Sequence, residues 1–156
     1  MNKTNSINSS SLFLVSGGAK GITSECVIKL AQEYKCKFIL IGSSEVIESE
    51  PSFAQDCFDE SVLKKRIMEY QLSQGDKPTP KSVENEFKII SSSRKINQTL
   101  SSIKQAGGKA EYISADVTNA LVLKQKVSSA IEHLGTVTGI INGAGKIAYK
   151  VIKFSR

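Results

Sequence analysis

The stretch LVSGGAKGIT, residues 14–23, joins an apolar run to a glycine-rich turn and then to a helical pattern. Residues 11–16 (SLFLVS) predict a buried strand, and the apolar spacing that follows predicts a helix from Gly21 to about Tyr34. The N–H groups at a helix N-terminus attract anions, and glycines let phosphate oxygens approach the backbone closely. The stretch therefore predicts an anion site, although a purely structural turn would also account for the glycines.

The rest of the chain alternates between strand and helix patterns. Three further apolar runs predict strands at residues 37–42, 110–115 and 137–142. Before the last of them, a helix capped by Thr118 or Asn119 ends at Gly135. A helical insertion is predicted over residues 43–93, where one helix ends near Gly75 and another begins at Thr79. This alternation predicts an α/β fold with a parallel sheet.

Composition limits the function classes. The 156 residues suit one domain, with 40% apolar and 23% charged residues. No apolar run approaches the roughly 18 residues of a membrane span. The polar residues 1–10 predict a disordered leader before a domain at 11–156, and we expect a cytoplasmic protein. Three cysteines without a CxxC pair predict neither disulfide nor metal site.

A net charge of +6 is a feature that nucleic-acid-binding proteins share. The basic cluster at residues 64–66 (KKR) is followed by an acidic residue and has no interleaved aromatic residues for stacking bases. We interpret it as a solvated helix face and expect no nucleic-acid partner. A basic surface would equally suit a phosphorylated cofactor or an acidic carrier protein.

Three motifs occur in order along the chain: the glycine turn at residues 16–22, the Asp-Val pair at 116–117 and NGAG at 142–145. They resemble, respectively, the TGxxxGIG turn, the adenine-side Asp-Val pair and the NNAG motif of short-chain dehydrogenases/reductases. The resemblance implies a Rossmann-like, doubly wound sheet in the order 3-2-1-4, with ligands at the carboxyl ends of the strands. It implies these cofactor-binding residues: Ser16, Gly17, Gly18, Lys20, Gly21, Ile22, Ser43, Ser44, Asp116, Val117, Asn142, Gly143, Ala144 and Gly145.

Two features favour NADP(H) over NAD(H). Residues 42–44 after strand two read GSS, without the acid that holds a ribose 2′-hydroxyl in NAD-binding folds. Lys20 resembles the cation that NADP-preferring members carry before the second glycine, and the less favoured alternative is a lysine that extends into solvent. Many relatives have an arginine where this chain has Ser43, and this departure weakens the expected hold on the phosphate.

The insertion resembles one branch of the family. The KPTP start and the pattern from residue 94 onward are similar to ketoreductase domains of modular polyketide synthases, above all the polyunsaturated fatty acid synthase type. This resemblance implies NADPH-dependent reduction of β-ketoacyl to β-hydroxyacyl thioesters. The catalytic serine, tyrosine and lysine of that branch lie beyond the fourth strand, so we assign no catalytic residue here. Tyr149 and Lys150 are adjacent instead of forming YxxxK, and we interpret His133 as structural.

These inferences predict an NADP(H)-binding part of a ketoreductase, truncated after the fourth strand and inactive alone. Its expected partners are the remainder of the reductase or synthase and an acyl carrier protein. An uncovered fourth strand would also favour self-association. The alternative is a non-catalytic structural half-domain of a polyketide synthase, in which the glycine turn is commonly lost. The intact glycines at 17, 18 and 21 favour the first interpretation.

Overall fold

The structure, a computed structural model, describes residues 6–116 and 118–143. Its elements are β1 (Leu12–Ser16), α1 (Gly21–Tyr34), β2 (Lys37–Gly42), α2 (Glu60–Ser73), α3 (Pro80–Gln105), β3 (Lys109–Ser114), α4 (Ala120–Leu134) and β4 (Gly139–Asn142). The four strands form one parallel sheet in the order β3-β2-β1-β4. The predicted Rossmann-like fold and strand order are therefore confirmed.

The strand register brings the strand ends to one edge of the sheet. Ser16, the last residue of β1, lies opposite Ile41 of β2 and Asn142 of β4. On the far side of β2, Gly42 lies opposite Ser114 of β3. Because all four strands run in parallel, the segments that follow them meet at this carboxyl edge.

Both faces of the sheet are covered, so alternate strand residues enter different cores. On one face Val15, Phe38 and Leu40 pack with buried residues of α1 and α3. On the other face Leu12 and Ile39 pack with buried residues of α4. Full burial of each such side chain contributes about 1.5–3 kcal/mol, and it fixes the sheet between its helices.

The insertion has its own small core. Ala54, Cys57, Leu63, Ile67 and Ile90 form a buried cluster between the loop after β2, α2 and α3. The Arg94 guanidinium on α3 pairs with Glu50 and donates to the carbonyls of Ala54 and Cys57. These contacts attach the loop to α3.

Helix α3 runs without a break through residue 93, where we expected the insertion to end. Its start agrees with the sequence, since Thr79 and Ser82 form a capping box and Pro80 is the first helical residue. No glycine or proline follows before Gln105, and Ile96 and Ile103 are buried against the sheet core. One helix therefore belongs both to the insertion and to the layer covering the sheet.

Other element boundaries differ by one or two residues from those expected. The third strand begins at Lys109 instead of 110, and the fourth at Gly139 instead of 137. Of the two candidate caps for α4, Asn119 is the one whose side chain accepts from the Val122 N–H. Of the expected leader, residues 6–10 are described, and the Ser11 N–H donates to the Asn8 carbonyl in a turn.

Candidate functional site

A cavity of about 220 Å³ opens at the carboxyl edge of the sheet. It is lined from the ends of three neighbouring strands by Gly17, Ala19, Lys20, Ile41, Gly42, Ser43, Ser44, Tyr112, Ala115 and Asp116. Sites for whole drug-sized ligands typically measure about 300–1,000 Å³, so this cavity has room for only part of such a ligand. The structure thus brings together residues that the sequence separates by about a hundred positions.

The turn after β1 has a backbone conformation that suits glycine. Gly17 and Gly21 have φ angles of 70° and 68°, in the left-handed region, where other residues pay about 1–2 kcal/mol. The Gly17 N–H donates to the Ile41 carbonyl at 2.8 Å, which ties the start of the turn to β2. Lys20 is the N-cap of α1, and its side chain makes no capping hydrogen bond. The first N–H groups of α1 therefore remain free of a side-chain cap and can receive an anion.

Four residues of the turn at 16–22 lie outside the cavity lining, namely Ser16, Gly18, Gly21 and Ile22. Gly18 is buried beneath the turn, and a Cβ on it would lie 2.5 Å from Val15 Cγ1 and 3.0 Å from Leu40 Cδ2. Its small size is needed for packing between the turn and the sheet. Ile22, in the first turn of α1, is 85% exposed. Their predicted contacts with a cofactor stay predictions.

Lys20 is held in the site and does not extend freely into solvent. Its Nζ donates to Ser44 Oγ at 2.8 Å and to Ser92 Oγ at 3.2 Å, and the lysine is half-buried. Within the described part of the chain, Lys20 forms no ion pair with a carboxylate. The result is one cation between two hydroxyl groups, a set of donors that suits a phosphate.

Tyr112 on β3 is a cavity residue that sequence reasoning missed. Its hydroxyl donates to the Ser44 carbonyl at 2.6 Å, and burial raises the pKa of the phenol, which stays protonated as a donor. Gly42 leaves room for this ring, because a Cβ there would lie 2.6 Å from the Tyr112 hydroxyl oxygen. The tyrosine therefore holds the backbone of Ser44 while Lys20 holds its side chain.

Asp116 adds a carboxylate to the lining of the cavity. Its Oδ1 accepts from the Thr118 hydroxyl at 2.7 Å and from the Thr118 N–H at 2.9 Å. These hydrogen bonds lower the pKa of Asp116, so the exposed side chain stays ionised near neutral pH. An ionised carboxylate accepts hydrogen bonds only, which fits an amino group such as that of adenine. Val117, the second residue of the predicted pair, lies outside the described residues.

The fourth strand brings part of the third motif to the glycine turn. Ser16 Oγ donates to Asn142 Oδ1 at 2.7 Å, and the Gly143 N–H donates to the Ser16 carbonyl at 2.8 Å. Gly143 packs against Thr23 so closely that a Cβ would overlap the threonine side chain. The predicted site residues Ala144 and Gly145, together with Tyr149 and Lys150, lie outside the described residues.

The other charged groups singled out in the sequence lie away from this edge. Lys64 pairs with Glu60 at 2.6 Å and with Glu84 at 2.8 Å, and Arg66 donates to a backbone carbonyl. His133 Nδ1 lies 3.6 Å from an oxygen of Glu111. In residues 6–116 and 118–143 there is no group of three metal-ligating side chains, and no helix there has the length and apolar character needed to cross a membrane.

Comparison with known proteins identifies the family. A family model described as short chain dehydrogenase matches residues 80–155. A polyunsaturated fatty acid synthase protein of Thraustochytrium sp. is 30% identical over 154 residues, which are 94% of this chain and 6% of that protein. The chain belongs to the short-chain dehydrogenase family. The predicted family is confirmed, and the synthase relative agrees with the predicted branch.

Solved structures of short-chain dehydrogenases share the fold. An N-terminal ketoreductase from the macrolactin assembly line has a TM-score of 0.58 and 19% identity, with 95% of this chain and 21% of that chain covered. Carveol dehydrogenase from Mycobacterium avium, in complex with NAD, has a TM-score of 0.52 and 20% identity, with 86% and 35% covered. This chain therefore spans a small part of the length of each relative.

Proposed function

We propose that this short-chain dehydrogenase chain is the NADP(H)-binding part of a β-ketoacyl thioester reductase of polyketide or fatty acid synthesis. The observation that carries the proposal is the hydrogen bond from Lys20 Nζ to Ser44 Oγ at 2.8 Å. It joins the two segments that flank the ribose position in doubly wound dinucleotide folds, the glycine turn and the end of strand two. The choice of reductase branch is supported by the similarity to the fatty acid synthase relative over 94% of this chain.

The charges around Lys20 and Ser44 favour a phosphate over a ribose hydroxyl. A phosphate monoester carries about −1.5 to −2 charges at pH 7, and charge-assisted hydrogen bonds are roughly twice as strong as neutral ones. Lys20 supplies the positive charge, while Ser43 and Ser44 stand where a carboxylate would select NAD(H). Glu45, the next acid along the chain, is exposed and does not line the cavity. The residues present therefore fit the 2′-phosphate of NADP(H).

The rest of the nucleotide would be distributed along the same edge. The N-terminus of α1 with Gly17 and Gly21 would hold the pyrophosphate, and Asp116 would accept from the adenine amino group. Bound NADPH supplies the hydride in the family reaction. The residues of this chain bind and orient the nucleotide, and we assign none of them to proton transfer. We therefore propose that the 156-residue chain binds NADP(H) without reducing a β-ketoacyl thioester by itself.

Nicotinamide fluorescence of NADPH, titrated with the wild-type chain and with Lys20→Met, tests this proposal. We expect the substitution to weaken NADPH binding by about 10- to 100-fold, because hydrogen bonds to charged groups contribute about 1.5–3 kcal/mol. Lys29→Met is the matched control, since Lys29 lies on α1 and pairs with Glu33 on the exposed face. Equal NADPH affinities of wild type and Lys20→Met would refute the phosphate site. Failure of the wild type to bind any nucleotide would favour the non-catalytic half-domain.

We propose the remainder of the reductase or synthase and its acyl carrier protein as partners. Among the described residues, β4 pairs with β1 alone, and Ile140 of β4 is 76% exposed. A parallel sheet is normally covered along its strands, so this edge suits further strands of the same enzyme or a second copy of the chain. A light-scattering mass that stays monomeric at micromolar concentration would exclude self-association.

A further inference from the structure

Helix α3, which extends from the insertion, contacts the glycine turn at two successive residues. Ser92 Oγ accepts from Lys20 Nζ at 3.2 Å, and Thr99 Oγ1 donates to the Ala19 carbonyl at 2.8 Å. Ser92 and Thr99 are seven residues apart, about two helical turns, so they lie on the same face of α3. Ile96, between them on this face, is fully buried in the core beneath the turn. The position of Ser92 relative to Lys20 is thus set by packing and by a buried hydrogen bond.

A hydroxyl that accepts from an ammonium group still has its own hydrogen to donate. Ser92 and Ser44 both accept from Lys20, so both hydroxyl hydrogens can be directed at a third group beside the ammonium. A phosphate monoester presents three strong acceptor oxygens. Lys20, Ser44 and Ser92 together offer three donors, one each from the turn, the end of β2 and α3.

We propose that Ser92 is a specificity-determining residue for NADP(H), donating a hydrogen bond to the 2′-phosphate. This inference rests on the proposed function of the site and adds the insertion to it. Ser92 adds a third donor beside Lys20 and Ser44. Thr99 is a positioning residue, since it contacts the turn and keeps Ser92 at its distance from Lys20.

Calorimetric titration with 2′,5′-ADP and with 5′-AMP tests the assignment, because the two ligands differ only in the 2′-phosphate. The test variant is Ser92→Ala, and the matched control is Ser91→Ala. Ser91 is the neighbouring residue on α3, is half-buried, and forms no side-chain hydrogen bond among the described residues. We expect Ser92→Ala to lower the affinity for 2′,5′-ADP by roughly tenfold and to leave the affinity for 5′-AMP unchanged. Ser91→Ala should leave both affinities unchanged.

Three results would overturn the assignment. Equal affinities of Ser92→Ala and Ser91→Ala for 2′,5′-ADP would show that Ser92 does not contact the phosphate. An equal loss for both ligands would show a structural effect on the cavity. A wild-type chain that binds both ligands with equal affinity would refute the proposed NADP(H) function as well. This outcome is distinguishable from a failure of the Ser92 assignment, because it is measured on the wild type alone. Ser92→Asp provides a second test, since a carboxylate beside Lys20 should repel 2′,5′-ADP much more than 5′-AMP.

Discussion

Replacing Gly18 by alanine should destabilise the chain because the turn is packed directly on the sheet. The new methyl carbon would lie 2.5 Å from Val15 Cγ1 and 3.0 Å from Leu40 Cδ2, in a region where both neighbours are fully buried. Val15 is β-branched and belongs to the central strand, so it cannot move aside by a change of rotamer alone. Overpacking of this kind costs about 1–3 kcal/mol. We therefore expect Gly18→Ala to lower the melting temperature by about 2–12 °C.

A double-mutant cycle with Val15→Ala, followed by circular dichroism during urea unfolding, attributes this loss to the named contact. Removal of the Val15 methyl groups makes room, so Gly18→Ala should cost at least about 0.5 kcal/mol less in that background. Gly21→Ala is the comparison. Apart from its two chain neighbours and the backbone of its own helix, no atom lies within 4 Å of its added Cβ, so its loss of unfolding free energy comes from a φ of +68°. That loss should be the same in the wild type and in Val15→Ala. Strictly additive effects of Gly18→Ala and Val15→Ala would refute the packing argument.

Three further predictions concern the cavity. Tyr112→Phe removes the hydrogen-bond donor to the Ser44 carbonyl, so it should lower the free energy of unfolding by about 1 kcal/mol and weaken NADPH binding. An unchanged unfolding free energy in urea and an unchanged NADPH affinity would contradict this prediction. Thr99→Val should cost about 1–3 kcal/mol in the same unfolding assay, because the Ala19 carbonyl loses a buried donor, and a neutral substitution would contradict it. Because hydrogen bonds lower the pKa of Asp116, its charge is lost only below its ordinary range near 3.9. Between pH 8 and 5, NADPH affinity should therefore fall only as the 2′-phosphate gains a proton near pH 6, and an equal fall for NADH would contradict this.

Local patterns in the sequence predicted most of the sheet and the helices that flank the site. The ranges 21–34 and 37–42 agree with α1 and β2, because glycines and apolar periodicity mark both elements clearly. The start of α3 followed from Thr79 and Pro80. The strand order followed from the family resemblance, and it brings Lys20, Ser44 and Asp116 to one cavity.

The contacts that complete the cavity depend on how α3 and β3 dock, which no local pattern encodes. Ser92 lies 72 positions from Lys20, and Tyr112 lies 68 positions from Ser44. Tyr112 reads as an ordinary strand residue, and Ser92 is the middle of three serines in a helix. The boundary expected at residue 93 falls inside α3 for the same reason. A helix without glycine or proline gives no local sign of where it passes from the insertion core to the sheet core.

Calorimetric titration of the wild-type chain with NADPH and with NADH tests the central claim most directly. The two nucleotides differ only in the 2′-phosphate, which we place beside Lys20 and Ser44. We expect NADPH to bind about 10- to 100-fold more tightly than NADH, as for other charge-assisted hydrogen bonds. Equal affinities, or tighter binding of NADH, would contradict the assignment of this cavity to NADP(H).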